Sequence, residues 1–259
     1  MKNTALITGA SSGIGLELAR VHASKGGDLV LVARSKDRLD EIKNELESAH
    51  KISVCNIRKD LSLPHSAQEV YDEISRREIS IECLINNAGF GDYGFFADGD
   101  SERILQMISL NITALTHLTR LYLRDMIERG EGKIMNVASL AAFQPGPLMA
   151  VYYASKAYVL SLSEAIANEA RDRGVTITAL CPGPTASGFW DVNSLEKNKM
   201  IKGKKLPTSK EVAAYGYAAM MKGKDVAIHG FANRFIVFIE RFFPKHLIVK
   251  IVRKIQEVD

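Results

Sequence analysis

Tyr152 and Lys156 stand four residues apart. The stretch 151–173 has apolar residues at helical spacing, so the two side chains share one face. A tyrosine hydroxyl ordinarily titrates at about 10, too high for easy proton exchange at neutral pH. A cation one helical turn away favours the phenolate and draws that value down. Tyr152 is then equipped to act as general acid toward a carbonyl that accepts hydride, and as general base in reverse. Ser139 lies thirteen residues before Tyr152, at the C-terminal end of a strand predicted over 133–137. Its hydroxyl suits hydrogen bonding to the carbonyl oxygen, polarising it. Tyr153, three residues from Lys156, reads as packing or pocket wall.

The N-terminus supplies a second chemical signal. Thr4-Ala5-Leu6-Ile7-Thr8 is a continuous apolar run of the kind buried in a parallel sheet. Leu16-Glu17-Leu18-Ala19-Arg20 has helical spacing. Between them lies Gly9-Ala10-Ser11-Ser12-Gly13-Ile14-Gly15. A strand feeding a helix through such a turn aims backbone N–H groups and the positive end of the helix dipole at one spot, which suits a phosphate. Glycine is required because a side chain would hold the phosphate off the backbone. The same residues also satisfy Gly-x-Ser-x-Gly, the nucleophile elbow of serine hydrolases, with Ser11 as nucleophile. That elbow normally follows several strands, whereas here it follows the first. Its histidine would have to be His229 or His246, neither in a convincing strand-end loop.

The second predicted strand, 29–33, bears on which dinucleotide such a turn would hold. A carboxylate at its end binds a ribose 2′-hydroxyl, and an arginine nearby accommodates a 2′-phosphate. The sequence reads Leu31-Val32-Ala33-Arg34-Ser35. Ala33 offers no carboxylate, Arg34 a planar fork suited to phosphate, and Ser35 a hydroxyl.

Predicted strands at 29–33, 52–57, 81–85, 133–137 and 175–180 alternate with helices at 37–50, 66–77, 101–128 and 151–173. This pattern implies βαβ units and a parallel sheet covered on both faces. The 259 residues suit one α/β domain, with 46% hydrophobic and 25% charged residues. The net charge of +4 is mild, and no basic block in the first 200 residues suggests nucleic acid. Neither a signal peptide nor a stretch of transmembrane length is evident. Cys55, Cys83 and Cys181 are far apart in apolar runs, as buried thiols of a reducing cytoplasm would be. No metal-ligand spacing is present.

Taken together, the chain resembles the short-chain dehydrogenases/reductases of the three-glycine type, densely over 4–185 and loosely beyond. Asp60-Leu61 follows the third strand, Asn86-Asn87-Ala88-Gly89 the fourth and Pro182-Gly183-Pro184-Thr185 the sixth, with Tyr152-x-x-x-Lys156 and Ser139 at the family spacing. The resemblance implies a Rossmann-type doubly wound, mostly parallel sheet with helices on both faces. It implies NADP(H) as cofactor and a carbonyl or alcohol as small-molecule substrate. Asn111, Ser139, Tyr152 and Lys156 become the catalytic set, Asn111 holding a water in a proton relay. The implied cofactor residues are Gly9, Ser11, Ser12, Gly13, Ile14, Gly15, Arg34, Ser35, Asp60, Leu61, Asn87, Ala88, Gly89, Tyr152, Lys156, Pro182, Gly183 and Thr185. Asp60-Leu61 would meet the adenine and Thr185 the nicotinamide carboxamide. A homodimer or homotetramer is the family expectation. A non-catalytic NADP-binding regulator is the alternative in another functional class, although none of the four catalytic residue types is missing.

Substrate residues are read from position. Ligands of open α/β sheets bind beyond the carboxyl ends of the strands. Two glycine- and proline-broken apolar loops fall there, and besides Ser139 they offer Tyr93, Phe143, Leu148 and Met149 as pocket wall. An apolar wall suits an acyl chain, a steroid-like ring system or an aromatic carbonyl. Residues 186–206, which include Trp190, lack periodicity and are expected to form a mobile lid. The apolar, basic extension 231–259 is expected to pack on its own domain or a partner subunit. Roofing the pocket and weak contact with an anionic membrane are the other readings.

Overall fold

The computed structural model describes residue 1, residues 3–187 and residues 206–257. Seven parallel strands form one sheet in the order β3-β2-β1-β4-β5-β6-β7. They are β1 Ala5–Thr8, β2 Leu29–Ala33, β3 Val54–Arg58, β4 Cys83–Asn86, β5 Gly132–Val137, β6 Val175–Cys181 and β7 Val226–Ile228. Every residue of β1, β2 and β4 is buried, as continuous apolar runs in a doubly covered parallel sheet should be.

Side chains alternate between the two faces. Ala5, Ile7, Leu29 and Leu31 meet α1 (Gly13–Ala23), α2 (Lys36–His50) and α7 (Ser209–Met221) through Leu18, Ile42 and Val212. Leu6, Val30, Leu84 and Ile134 meet α3 (Ser66–Arg76), α5 (Leu115–Arg129) and α6 (Ala150–Ala170) through Ile74, Leu118 and Ala167. The chain winds outward from β1 to β3, then returns to place β4 on the other side of β1. This reversal opens a crevice above the C-terminal ends of β1 and β4, the place where such sheets bind ligands.

One element differs from the sequence expectation. The helix expected over 101–128 is α4 (Ser101–Ile108), a π-helical turn (Ser109–Ala114) and then α5. The basic tail divides at Pro244 into α8 (Phe231–Glu240) and α9 (Lys245–Gln256). Pro244 lacks an N–H to continue α8 but suits the start of α9.

Candidate active site

α6 follows the loop after β5 and brings Tyr152 and Lys156 over the end of that strand. Lys156 is 5% exposed. Its Nζ donates to the Val137 carbonyl at 2.8 Å and lies 5.8 Å from the Tyr152 ring centroid. Burial draws the ammonium down to about 8, partly opposed by Cys181. Burial also pushes the Tyr152 phenol up to about 12, against a side-chain hydrogen bond with Ser139. This corrects the expectation that Lys156 would lower the phenol in the protein alone. The lysine spends a hydrogen bond on Val137 and faces the ring, while desolvation penalises both charges. Ser139 Oγ also accepts from the Ala141 amide at 3.1 Å, which heads the short turn Leu140–Phe143.

Asn111 sits in the π-helical turn and is 1% exposed. Its Nδ2 donates to the Phe90 carbonyl at 2.9 Å and to Ser155 Oγ at 3.1 Å, and its Oδ1 accepts from the Phe90 amide at 3.1 Å. π turns are concentrated at functional sites because the extra residue re-aims side chains. A Cβ on Gly89 would lie 2.9 Å from Asn111 Oδ1 and 3.5 Å from Lys156 Nζ. Gly89 is therefore the backbone point where the asparagine and lysine converge.

At the sheet reversal, Thr8 Oγ1 accepts from the amides of Asn87 and Ala88, both at 3.0 Å. Asn87 Nδ2 returns bonds to the carbonyls of Thr8 at 3.1 Å and Gly9 at 3.2 Å. Gly9 has φ +66°, and a Cβ there would lie 2.9 Å from Ala88 Cα. A Cβ on Gly15 would run into the Gly9 carbonyl oxygen. The turn is thus pressed against β4, and only glycine permits it. Ser12 begins α1 without a side-chain cap, and the first turn holds no acid. The leading amides of Gly13, Ile14 and Gly15, with the helix dipole behind them and Ser11 and Ser12 beside them, fit a dinucleotide's phosphates.

Arg34 and Ser35 are exposed at the end of β2. Sequence reading missed Arg58. The β2–β3 register sets Arg58 opposite Ala33, and its Nε donates to the Arg34 carbonyl at 3.3 Å. Only strand pairing reveals this second guanidinium. Asp60 accepts from Ser62 N at 2.9 Å and Ser62 Oγ at 2.7 Å. Burial pushes its carboxyl up, but the Ser62 bonds and the Arg34 charge outweigh that and hold it below the usual range. The Leu61 side chain is buried in the core with Ala67 and Val70.

Across the crevice, the Pro182 carbonyl accepts from Leu140 N at 2.9 Å, and Thr185 Oγ1 donates to the Gly183 carbonyl at 2.9 Å. Met149 and Tyr153 pack with Ala141 and Val252, flanked by Tyr93, Tyr152 and Ile248. Leu148 is half-buried with φ +68°, and its carbonyl accepts from Gly94 N at 2.8 Å. Phe143 is half-buried and packs against the cluster that holds Leu115, Ala138, Val159 and Cys181. Trp190 and most of the expected lid lie outside the described residues. The sequence did not single out α9's part in this site. Gln256, 1% exposed, donates to the Tyr153 hydroxyl, while the Tyr93 hydroxyl donates to the Gln256 carbonyl at 2.7 Å.

A seven-stranded parallel sheet with a phosphate-shaped turn at its reversal and a Ser–Tyr–Lys group alongside defines a dinucleotide-binding α/β protein. The model of the family described as short chain dehydrogenase matches residues 3–198, and the chain belongs to this family. A short-chain dehydrogenase from Sphingobium yanoikuyae in complex with NADPH is 33% identical, with a TM-score of 0.83 over 99% of this chain and 98% of that one. The bulky-bulky ketone specific alcohol dehydrogenase from Comamonas testosteroni is 31% identical, with a TM-score of 0.79 over 93% and 92%. The very-long-chain 3-oxoacyl-CoA reductase of Homo sapiens is 33% identical over 184 residues, 69% of this chain. The match spans 58% of that relative's length. Family membership sets aside the hydrolase reading of Ser11.

Proposed function

We propose that the protein is an NADPH-dependent reductase of ketones or aldehydes, running as an alcohol dehydrogenase in reverse. The observation that carries this reading is the Tyr152 phenol, hydrogen-bonded to Ser139 with the Lys156 ammonium beneath its ring. Bound NADPH supplies the hydride. Ser139 holds and polarises the carbonyl oxygen. With its phenol raised to about 12, Tyr152 enters the reaction protonated, the form that donates to the nascent alkoxide. Lys156 places a positive charge beneath the resulting phenolate. Asn111, bonded to Ser155 and converging with Lys156 at Gly89, holds the water that returns the proton.

Arg34 and Ser35, with Arg58 beside them, receive the 2′-phosphate. Asp60 and Leu61 border the adenine. Asn87, Ala88 and Gly89 line one side of the cofactor, and Pro182, Gly183 and Thr185 the nicotinamide side. The apolar wall of Met149, Tyr153 and Tyr93 supports an acyl-chain or other bulky apolar carbonyl such as a 3-oxoacyl compound. The names of the human and Comamonas relatives point the same way. The chain works as one NADP-binding domain, in a homodimer or homotetramer, in the cytoplasm.

The test is NADPH consumption against 3-oxoacyl thioesters, simple aldehydes, diketones and steroid ketones, with NADH run beside it. Turnover of one class, faster with NADPH, supports the reading. Tight NADPH binding with no turnover of any class contradicts it and returns the non-catalytic regulator.

A further inference from the structure

Helices α8 and α9 carry their apolar residues on the wrong side for a protein in water. Phe231, Phe235 and Phe238 on α8, with Phe242 just past its end, recur at helical spacing and are 54–77% exposed. A surface helix normally turns such a stripe toward the core. α9 is apolar on two sides. Ile248 and Val252 pack inward against the Tyr152–Tyr153 group, while Ile251 and Ile255 face outward at 56% and 42% exposure. The loop before α4 joins the same region, because the Arg253 guanidinium stacks 4.9 Å above the exposed Phe95 ring.

The charge of this segment is equally one-sided. Residues 231–257 hold six cations, Arg234, Arg241, Lys245, Lys250, Arg253 and Lys254, against Glu240 and Glu257. That excess equals the +4 of the entire chain, so the remainder is electrically balanced. An apolar face among concentrated cations matches an anionic lipid surface. It fits a second copy of itself poorly, since a two-fold contact would bring two such excesses together. Helices of 10 and 12 residues reach about 15 and 18 Å, well short of a bilayer's roughly 30 Å core. They are suited to lying on a membrane.

We propose that α8 and α9 form a platform that docks on an anionic lipid surface, setting the roof of the catalytic pocket against the membrane. Because α9 presents one face outward and the other to Tyr152 and Tyr153, an acyl-chain carbonyl dissolved in the bilayer has a short path to Tyr152. This last step rests on the reductase reading, whereas the docking does not.

The test is sedimentation of the full chain with vesicles of phosphatidylcholine alone, and of phosphatidylcholine mixed with phosphatidylglycerol. The chain is expected to sediment with the mixed vesicles and to be released by high salt. The double variants Phe235→Ser/Phe238→Ser and Lys250→Glu/Lys254→Glu each reduce that partitioning roughly tenfold or more. Both leave NADPH consumption with a small soluble ketone unchanged, since all four residues lie outside the site. Equal sedimentation with both vesicle types overturns the proposal, as does insensitivity to both double variants. A lipid-free dimer dispersed by the phenylalanine variant also overturns it, by showing that a second copy covers the face. Vesicle binding without any carbonyl turnover supports the platform and contradicts the reductase reading, and turnover without vesicle binding does the reverse.

Discussion

Lys156 lies 5.8 Å from the Tyr152 ring centroid and gives a hydrogen bond to the Val137 carbonyl rather than to the phenol. The strand end therefore fixes the lysine, and the lysine's charge is available beneath a ring whose hydroxyl faces Ser139. This arrangement makes Lys156 titratable within reach of ordinary buffers, and its pH signature has a definite sign. The folded value of about 8 is below the ordinary 10.5. Burial of the ammonium is thus a cost fully present below pH 8 and relieved as pH rises toward 10.5. The stability of the native chain relative to Lys156→Met should rise across that window, by about 3 kcal/mol. Denaturant melts of both proteins at several pH values check this, and a flat or falling difference contradicts it.

The glycine turn gives a contrast between two substitutions. Gly15→Ala drives a methyl into the Gly9 carbonyl and to 2.5 Å from Asn87 Nδ2. It should cost about 1–3 kcal/mol and abolish measurable NADPH binding. Gly26 has φ +75° but nothing within 4 Å of the added carbon. Gly26→Ala should cost about 1 kcal/mol and leave NADPH affinity intact. Melts with cofactor titration separate the two.

Much of the site was legible because it is local in sequence. The turn after β1 and the Tyr152–Lys156 spacing are short-range patterns, and the apolar runs placed β2 at its observed bounds. What escaped depends on long-range packing. No residue type marks the π turn at Asn111. Arg58 reaches Arg34 only through the β2–β3 register. Gln256 meets Tyr153 across 103 positions of sequence. The phenol's upward shift arises from burial that spacing alone does not reveal.

Arg34→Ala should raise the KM for NADPH roughly tenfold to a hundredfold while leaving that for NADH nearly unchanged, since a charge-assisted contact to phosphate is lost. Arg58→Ala should raise the KM for NADPH by less and likewise leave that for NADH nearly unchanged. Steady-state kinetics with each cofactor decide, and equal effects on the two remove the 2′-phosphate role.

Gln256→Ala leaves the buried Tyr153 hydroxyl without its amide donor. Stability should fall by about 1–3 kcal/mol. The KM for a bulky apolar ketone should rise while that for NADPH holds, because the change loosens the α9 roof and not the crevice. A KM change confined to NADPH contradicts the placement of α9 over the substrate.

The central claim is that Tyr152 delivers the proton. The most direct test compares Tyr152→Phe with the native chain at saturating NADPH on whichever carbonyl turns over. The change removes one oxygen and leaves the ring packing against Tyr153. kcat should fall by roughly a hundredfold to ten-thousandfold with NADPH affinity retained. A variant that keeps most of its kcat would contradict the account and move the acid elsewhere.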